Sequence, residues 1–97
     1  MTLTEKQKKH LCQLAHDMNP SVMVGSAGVS QGVLQELNNT LEHHELVKIK
    51  LRVGARDARD AAILELATKT DAELIRTIGN TAVLYRRRKN KPTIQLP

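Results

Sequence analysis

Val22-Met23-Val24-Gly25-Ser26-Ala27-Gly28-Val29-Ser30 is the stretch on which the fold turns. Its three leading apolar residues make a short buried strand, and the Gly-x-x-Gly behind them bends the chain sharply. Ser30 then caps an amphipathic helix over residues 30–43, whose apolar stripe is Val33, Leu34, Leu37 and Leu41. A strand, a glycine loop and a helix start in succession bring backbone N–H groups to one exposed spot, which suits a phosphate. The net charge of +5 makes a nucleic-acid backbone the natural source of that phosphate.

Working outward, the first helix spans residues 4–18. Thr2 and Glu5 fit a capping box, and Leu11, Leu14, Ala15 and Met18 form the stripe. Cys12 falls on the apolar side as a core residue, and Asn19-Pro20 ends the helix. Beyond the second helix, Leu46-Val47-Lys48-Ile49-Lys50-Leu51-Arg52-Val53 alternates with period two. Val47, Ile49, Leu51 and Val53 face the core, while Lys48, Lys50 and Arg52 make a cationic, solvated second face. A third helix covers 57–68, with Ala58, Ala61, Ala62, Ile63 and Leu66 available for burial and Asp57 and Asp60 favouring its start. Residues 73–78 and 81–86 are two strands joined by a type II′ turn at Gly79-Asn80.

The order is therefore α-β-α-β-α-β-β: an α/β fold with a four-stranded mixed sheet and three helices. Helical crossovers after the first two strands predict parallel neighbours, and the last two strands an antiparallel hairpin. The length of 97 residues suits one domain, 1–97, with about 87–97 as a basic C-terminal extension or mobile arm. Monomer is the expected state.

Charge is segregated. Residues 1–45 hold three lysines against five carboxylates, whereas residues 46–97 hold twelve basic groups against five acidic ones. The densest run is Arg86-Arg87-Arg88-Lys89-Asn90-Lys91. Such clustering is the footprint of a phosphate-backbone binder. The candidate contacts are Gly25, Ser26, Ala27 and Gly28 in the loop, Lys48, Lys50 and Arg52 on the strand, and Arg86, Arg87, Arg88, Lys89 and Lys91 in the run. With no Phe or Trp and one Tyr, a sheet that stacks bases on exposed aromatic rings is excluded.

The segments Leu14-Ala15-His16, Asn19-Pro20, Val24-Gly25-Ser26-Ala27-Gly28-Val29, His43-His44-Glu45-Leu46-Val47-Lys48-Ile49-Lys50, Ile78-Gly79-Asn80 and Ala82-Val83-Leu84-Tyr85-Arg86 occur in a distinctive order. Together they resemble a YhbY-type, stand-alone CRM domain (chloroplast RNA splicing and ribosome maturation) across nearly the whole chain. The resemblance implies an RNA-binding domain similar in fold to the C-terminal domain of bacterial translation initiation factor three. It also implies a partner in large-subunit rRNA within pre-ribosomal particles, with ribosomal proteins as further neighbours, and an RNA-contacting loop at 25–28. Here the inner loop positions are the uncharged Ser26 and Ala27, so cations must come from elsewhere.

Competing readings fail on detail. A Walker loop needs Gly-Lys-Ser/Thr where this chain has Gly28-Val29-Ser30, and a Rossmann fingerprint needs glycine where Met23 stands. His43 and His44 lack a further ligand at metal spacing, so no metal, cofactor or catalytic residue is expected, and the chain is not read as an enzyme. A lone cysteine and no apolar run of membrane length point to the cytoplasm and away from membranes. The alternative function is a protein-interaction module on the ribosome whose basic face only confers solubility.

Overall fold

The computed structural model describes residues 3–97. Its elements follow the expected order: α1 (Glu5–His16), β1 (Val22–Val24), α2 (Gln31–His44), β2 (Leu46–Leu51), α3 (Arg56–Thr70), β3 (Glu73–Ile78) and β4 (Thr81–Tyr85). The capping box of α1 lies two residues beyond its expected place: the Thr4 hydroxyl accepts the Gln7 N–H at 3.1 Å and the Gln7 side chain accepts the Thr4 N–H at 3.0 Å. Thr2 is outside the described residues. Leu14 is exposed and Cys12 only half-buried, so the buried stripe of α1 narrows to Leu11 and Ala15. On α3 likewise, Ala58 and Ala61 stay in solvent, and Ala62, Ile63 and Leu66 are buried.

The strands run in the order β1-β2-β4-β3. The first crossover sets β1 parallel to β2, with Val22 opposite Ile49 and Val24 opposite Leu51. The second does not make neighbours of β2 and β3, because β4 lies between them, antiparallel to both. The cause is hydrophobicity. Ala82, Val83, Leu84 and Tyr85 are apolar on both faces and are all buried, which only an interior strand achieves. Glu73, Arg76 and Thr77 make β3 the more polar strand, suited to the edge. Gly79 supplies the positive φ of +56° that the two-residue turn demands at its first position.

Three layers result. One core packs α2 and α3 on the sheet through Val22, Val24, Leu37, Leu41, Ile49 and Leu66; the other packs α1 on the opposite face through Leu11, Ala15, Leu46, Val83 and Tyr85. At Lys48 the second face of β2 is therefore covered by α1 rather than solvated, while Lys50 stays half-exposed and Arg52 exposed. The terminal segment is not a free arm. Ile94 and Leu96 pack against the α1 core, and the Gln7 side chain donates to the Pro97 carbonyl at 3.2 Å.

Candidate functional site

Because β1 and β2 are parallel, both of their C-terminal ends open on the same end of the sheet, the usual position for a ligand in such sheets. The chain brings the glycine loop there. The Gly28 N–H closes a turn on the Gly25 carbonyl at 3.0 Å, and Gly28 has φ of +82°. Gly25, Ser26 and Ala27 are exposed. A Cβ at Gly25 would meet no atom of the described residues within 4 Å, and its φ is not left-handed, so neither packing nor backbone geometry calls for glycine at that position. What its absent side chain leaves is room for close approach to the backbone.

Around the loop lie groups from four places in the chain. The Arg52 N–H donates to the Val24 carbonyl at 2.7 Å, which fixes Arg52 beside the start of the loop. The Leu51 N–H donates to the Asn80 carbonyl at 2.7 Å, so the hairpin turn shares this end. The N-termini of α2 and α3 complete it. The Ser30 hydroxyl accepts the Val33 N–H at 3.2 Å, and the first turn of α2 carries no acid. The first turn of α3 has no side-chain cap and holds Asp57, which makes the start of α2 the better seat for an anion. Exposed Arg56 heads α3 at the same end; an isolated arginine after a strand gave the sequence reading no signal.

The basic run is elsewhere. Leu46 pairs with Tyr85, so residues 86–91 leave the sheet at the opposite end of β2, about 17 Å from the loop at strand rise. Within the run the residues divide. Arg86 is held by the fold: its guanidinium donates to the Asn38 side chain and carbonyl, to the Thr70 carbonyl at 2.8 Å and to Glu42 at 3.0 Å. Arg88 is half-buried, with its N–H on Glu45 at 2.8 Å. Arg87, Lys89 and Lys91 are exposed.

Glu45 is the group that shapes this end. It is fully buried in the left-handed region (φ 63°), and Oε1 accepts the N–H groups of Thr93 and Ile94 at 2.7 and 2.8 Å and the Thr93 hydroxyl. Burial pushes its carboxyl up, but the hydrogen bonds from Thr93, Arg88 and Ile94 outweigh that and hold it below the ordinary value. Burial raises the nearby Tyr85 hydroxyl, the Glu45 charge raises it further, and Arg87 opposes both.

Of the strand cations, Lys48 is committed internally. Its Nζ donates to the carbonyls of Ala15 and Met18, both at 3.2 Å, and so closes the C-terminus of α1. Lys50 remains half-exposed, opposite Met23 on one side and Thr81 on the other. Apart from Lys48, the candidates thus fall into two separate clusters rather than one surface.

The family model for the CRS1 / YhbY (CRM) domain matches residues 3–86, spanning every element from α1 to β4. The chain belongs to this family. It is 44% identical to an "RNA-binding protein" of Haemophilus influenzae, over 99% of this chain and 96% of that one. It is 34% identical to the "Probable RNA-binding protein YqeI" of Bacillus subtilis, over 98% of this chain and 99% of the relative. The solution structure of the hypothetical protein SAV1595 from Staphylococcus aureus superposes with a TM-score of 0.85 at 33% identity, covering 99% of this chain and 100% of that one. The match ends at Arg86, so the segment Glu45 holds in this CRM domain, residues 87–97, lies beyond the matched region. Among the described residues, no group of three or more potential ligands could hold a metal, and no helix is long and apolar enough to cross a membrane.

Proposed function

We propose that this CRM protein binds RNA through the 25–28 loop and acts, without catalysis, on large-subunit rRNA in assembling ribosomal particles in the cytoplasm. The observation that carries the reading is the exposed glycine at position 25, which serves no structural need, beside the acid-free N-terminus of α2 and Arg52. Relatives named as RNA-binding proteins, aligned over nearly the whole chain, supply the nucleic acid. In this reading a sugar–phosphate backbone approaches Gly25 and Gly28, and the free N–H groups of the α2 start and the Arg52 charge meet its phosphate. Arg87, Lys89 and Lys91 at the far end supply attraction at range and a second set of phosphate contacts. Contacts of this kind position RNA but carry little base information.

The test pairs a binding assay with sedimentation. Gly25→Asp adds bulk and negative charge at a site with open space around it, so the variant folds normally and loses RNA affinity. In extracts, the wild-type protein co-migrates with large-subunit precursors at low salt and leaves them as salt rises. Unchanged RNA affinity in folded Gly25→Asp would refute the loop. Residence at the top of the gradient at both salt levels would remove the ribosomal assignment.

A further inference from the structure

The α1 face of the sheet is covered only in part. One cross-strand row, Met23–Lys50–Thr81–Ile78, runs across all four strands at the end nearest the 25–28 loop. Met23 is 49% exposed and Ile78 58%, two large apolar side chains in solvent on either side of a lysine. Beside this row, between the C-terminal half of α1 and strands β3 and β4, lies a cleft of about 160 Å³. Cys12, His16, Lys48, Arg76, Ile78 and Thr81 line it, and no carboxylate does. A cavity of about 150 Å³ accepts benzene, so this cleft, open on one side, has room for the six-membered ring of a nucleobase.

Arg76 reaches this face through an irregularity. The β3–β4 register shifts between Leu74 and Arg76: Leu74 pairs with Leu84, but Arg76 pairs with Val83. Leu84 belongs to the core under α2 and α3, and Val83 to the core under α1. The bulge at Ile75 therefore turns Arg76 to the α1 side, where strict alternation from Leu74 would have pointed it at α3. Bulges that re-aim one side chain gather beside binding sites. Here the re-aimed group is a planar cation, able to stack on a base or to fork a phosphate.

We infer that a single-stranded segment of RNA leaves the 25–28 loop, crosses the Met23–Ile78 row and seats the base edge of one unpaired nucleotide in the cleft between α1 and β3–β4. This rests on the RNA-binding reading above and adds the class of RNA: unpaired, since a base within a duplex cannot enter. Charge complementarity carries the assignment. Lys50 and Arg76 meet phosphate, while Ile78 and the Arg76 plane take the base in place of aromatic rings. Lys48 stays on the α1 carbonyls and presents only its charge.

Cys12 is the chain's single cysteine, which makes it a reporter of the cleft. Its alkylation by iodoacetamide is followed with oligoadenylate of about ten nucleotides, and with an RNA duplex of equal length. Oligoadenylate slows alkylation severalfold and the duplex leaves it unchanged. Arg76→Ala, a change at an exposed residue, weakens oligoadenylate about tenfold, leaves duplex affinity unchanged and abolishes the protection. If saturating oligoadenylate leaves the Cys12 rate untouched while Gly25→Asp still loses binding, the cleft falls and the loop stands. Equal protection by the duplex overturns the single-strand assignment, and absence of RNA binding by the wild-type chain overturns both readings.

Discussion

The carboxylate of Glu45 accepts both the backbone N–H of Thr93, at 2.7 Å, and its hydroxyl, at 2.6 Å, across 48 positions of sequence. This pair fastens the terminal segment to the junction between α2 and β2. It is also the reason Arg87, Lys89 and Lys91 are displayed on an ordered segment, not a loose one.

Glu45→Gln tests that fastening. The amide keeps one oxygen but sets an NH₂ donor against the Arg88 N–H, so one bond is lost and a donor faces a donor. Unfolding by urea at neutral pH shows a loss of about 1–3 kcal/mol. Hydrogen exchange shows the amides of Arg88, Thr93 and Ile94 losing protection before those of β4.

The same carboxyl gives a pH dependence of known sign. Its folded pKa lies below the ordinary value of 4.5, so the unfolded chain takes up the proton first as pH falls. The stabilisation is whole above 4.5 and is lost as pH falls through the lower folded value. Urea midpoints of the wild type and Glu45→Gln, well apart at neutral pH, therefore converge in acid. A constant gap down to the acid-unfolded range would show that Glu45 carries no such linkage.

Tyr85 makes the opposite case at high pH. Its buried hydroxyl has no hydrogen-bond partner among the described residues, and burial together with the Glu45 charge raises its pKa above 10. Since this is the chain's only tyrosine and Trp is absent, ultraviolet absorbance titrates it alone. Its midpoint falls above 10, and stability declines from about 10 upward because the unfolded phenol ionises first. Tyr85→Phe, which removes the unpartnered oxygen, folds without loss of stability.

The order of elements was legible because each left a local mark: the Ser30 cap, the alternation of Leu46 to Leu51, the Gly79-Asn80 turn. Position across the sheet was not, because it depends on comparing whole strands. β4 displaced β3 from the interior by being apolar on both faces, a property no single residue announces. Alternation put Lys48 on the other face of β2 from Ile49, but it could not say that α1 would lie over that face. The bulge at Ile75 hid Arg76 for the same reason, since one extra residue reverses the face of everything after it. Charge density marked Arg86 and exposed Lys89 alike, and only tertiary contacts with Asn38, Glu42 and Thr70 separate them.

That separation is measurable. Arg86→Ala and Lys48→Met each cost about 1–3 kcal/mol of stability, since each strips charged donors from backbone carbonyls at a helix end: Thr70 in one case, Ala15 and Met18 in the other. The triple change of Arg87, Lys89 and Lys91 to Ala leaves the urea midpoint unchanged. It flattens the slope of log affinity against log salt by about 2 if each cation neutralises one phosphate of a single strand. A slope that flattens with Arg86→Ala and not with the triple would reverse the division between structural and contacting cations.

The two loop glycines differ in what they do for the fold, and substitution by alanine separates them. Gly28 sits at φ of +82°, where a Cβ crowds the carbonyl that follows, so Gly28→Ala costs about 1–2 kcal/mol whatever the space around it. Gly25 has open space and an ordinary φ, so Gly25→Ala shifts stability by less than about 0.5 kcal/mol. In RNA affinity the pattern changes, because the methyl group at Gly25 stands where the backbone must approach. Thermal unfolding and RNA titration of the two variants side by side read both quantities. A Gly25→Ala protein as stable as the wild type but weaker in binding identifies a glycine kept for its ligand, while equal affinity would leave Gly25 without a role in either.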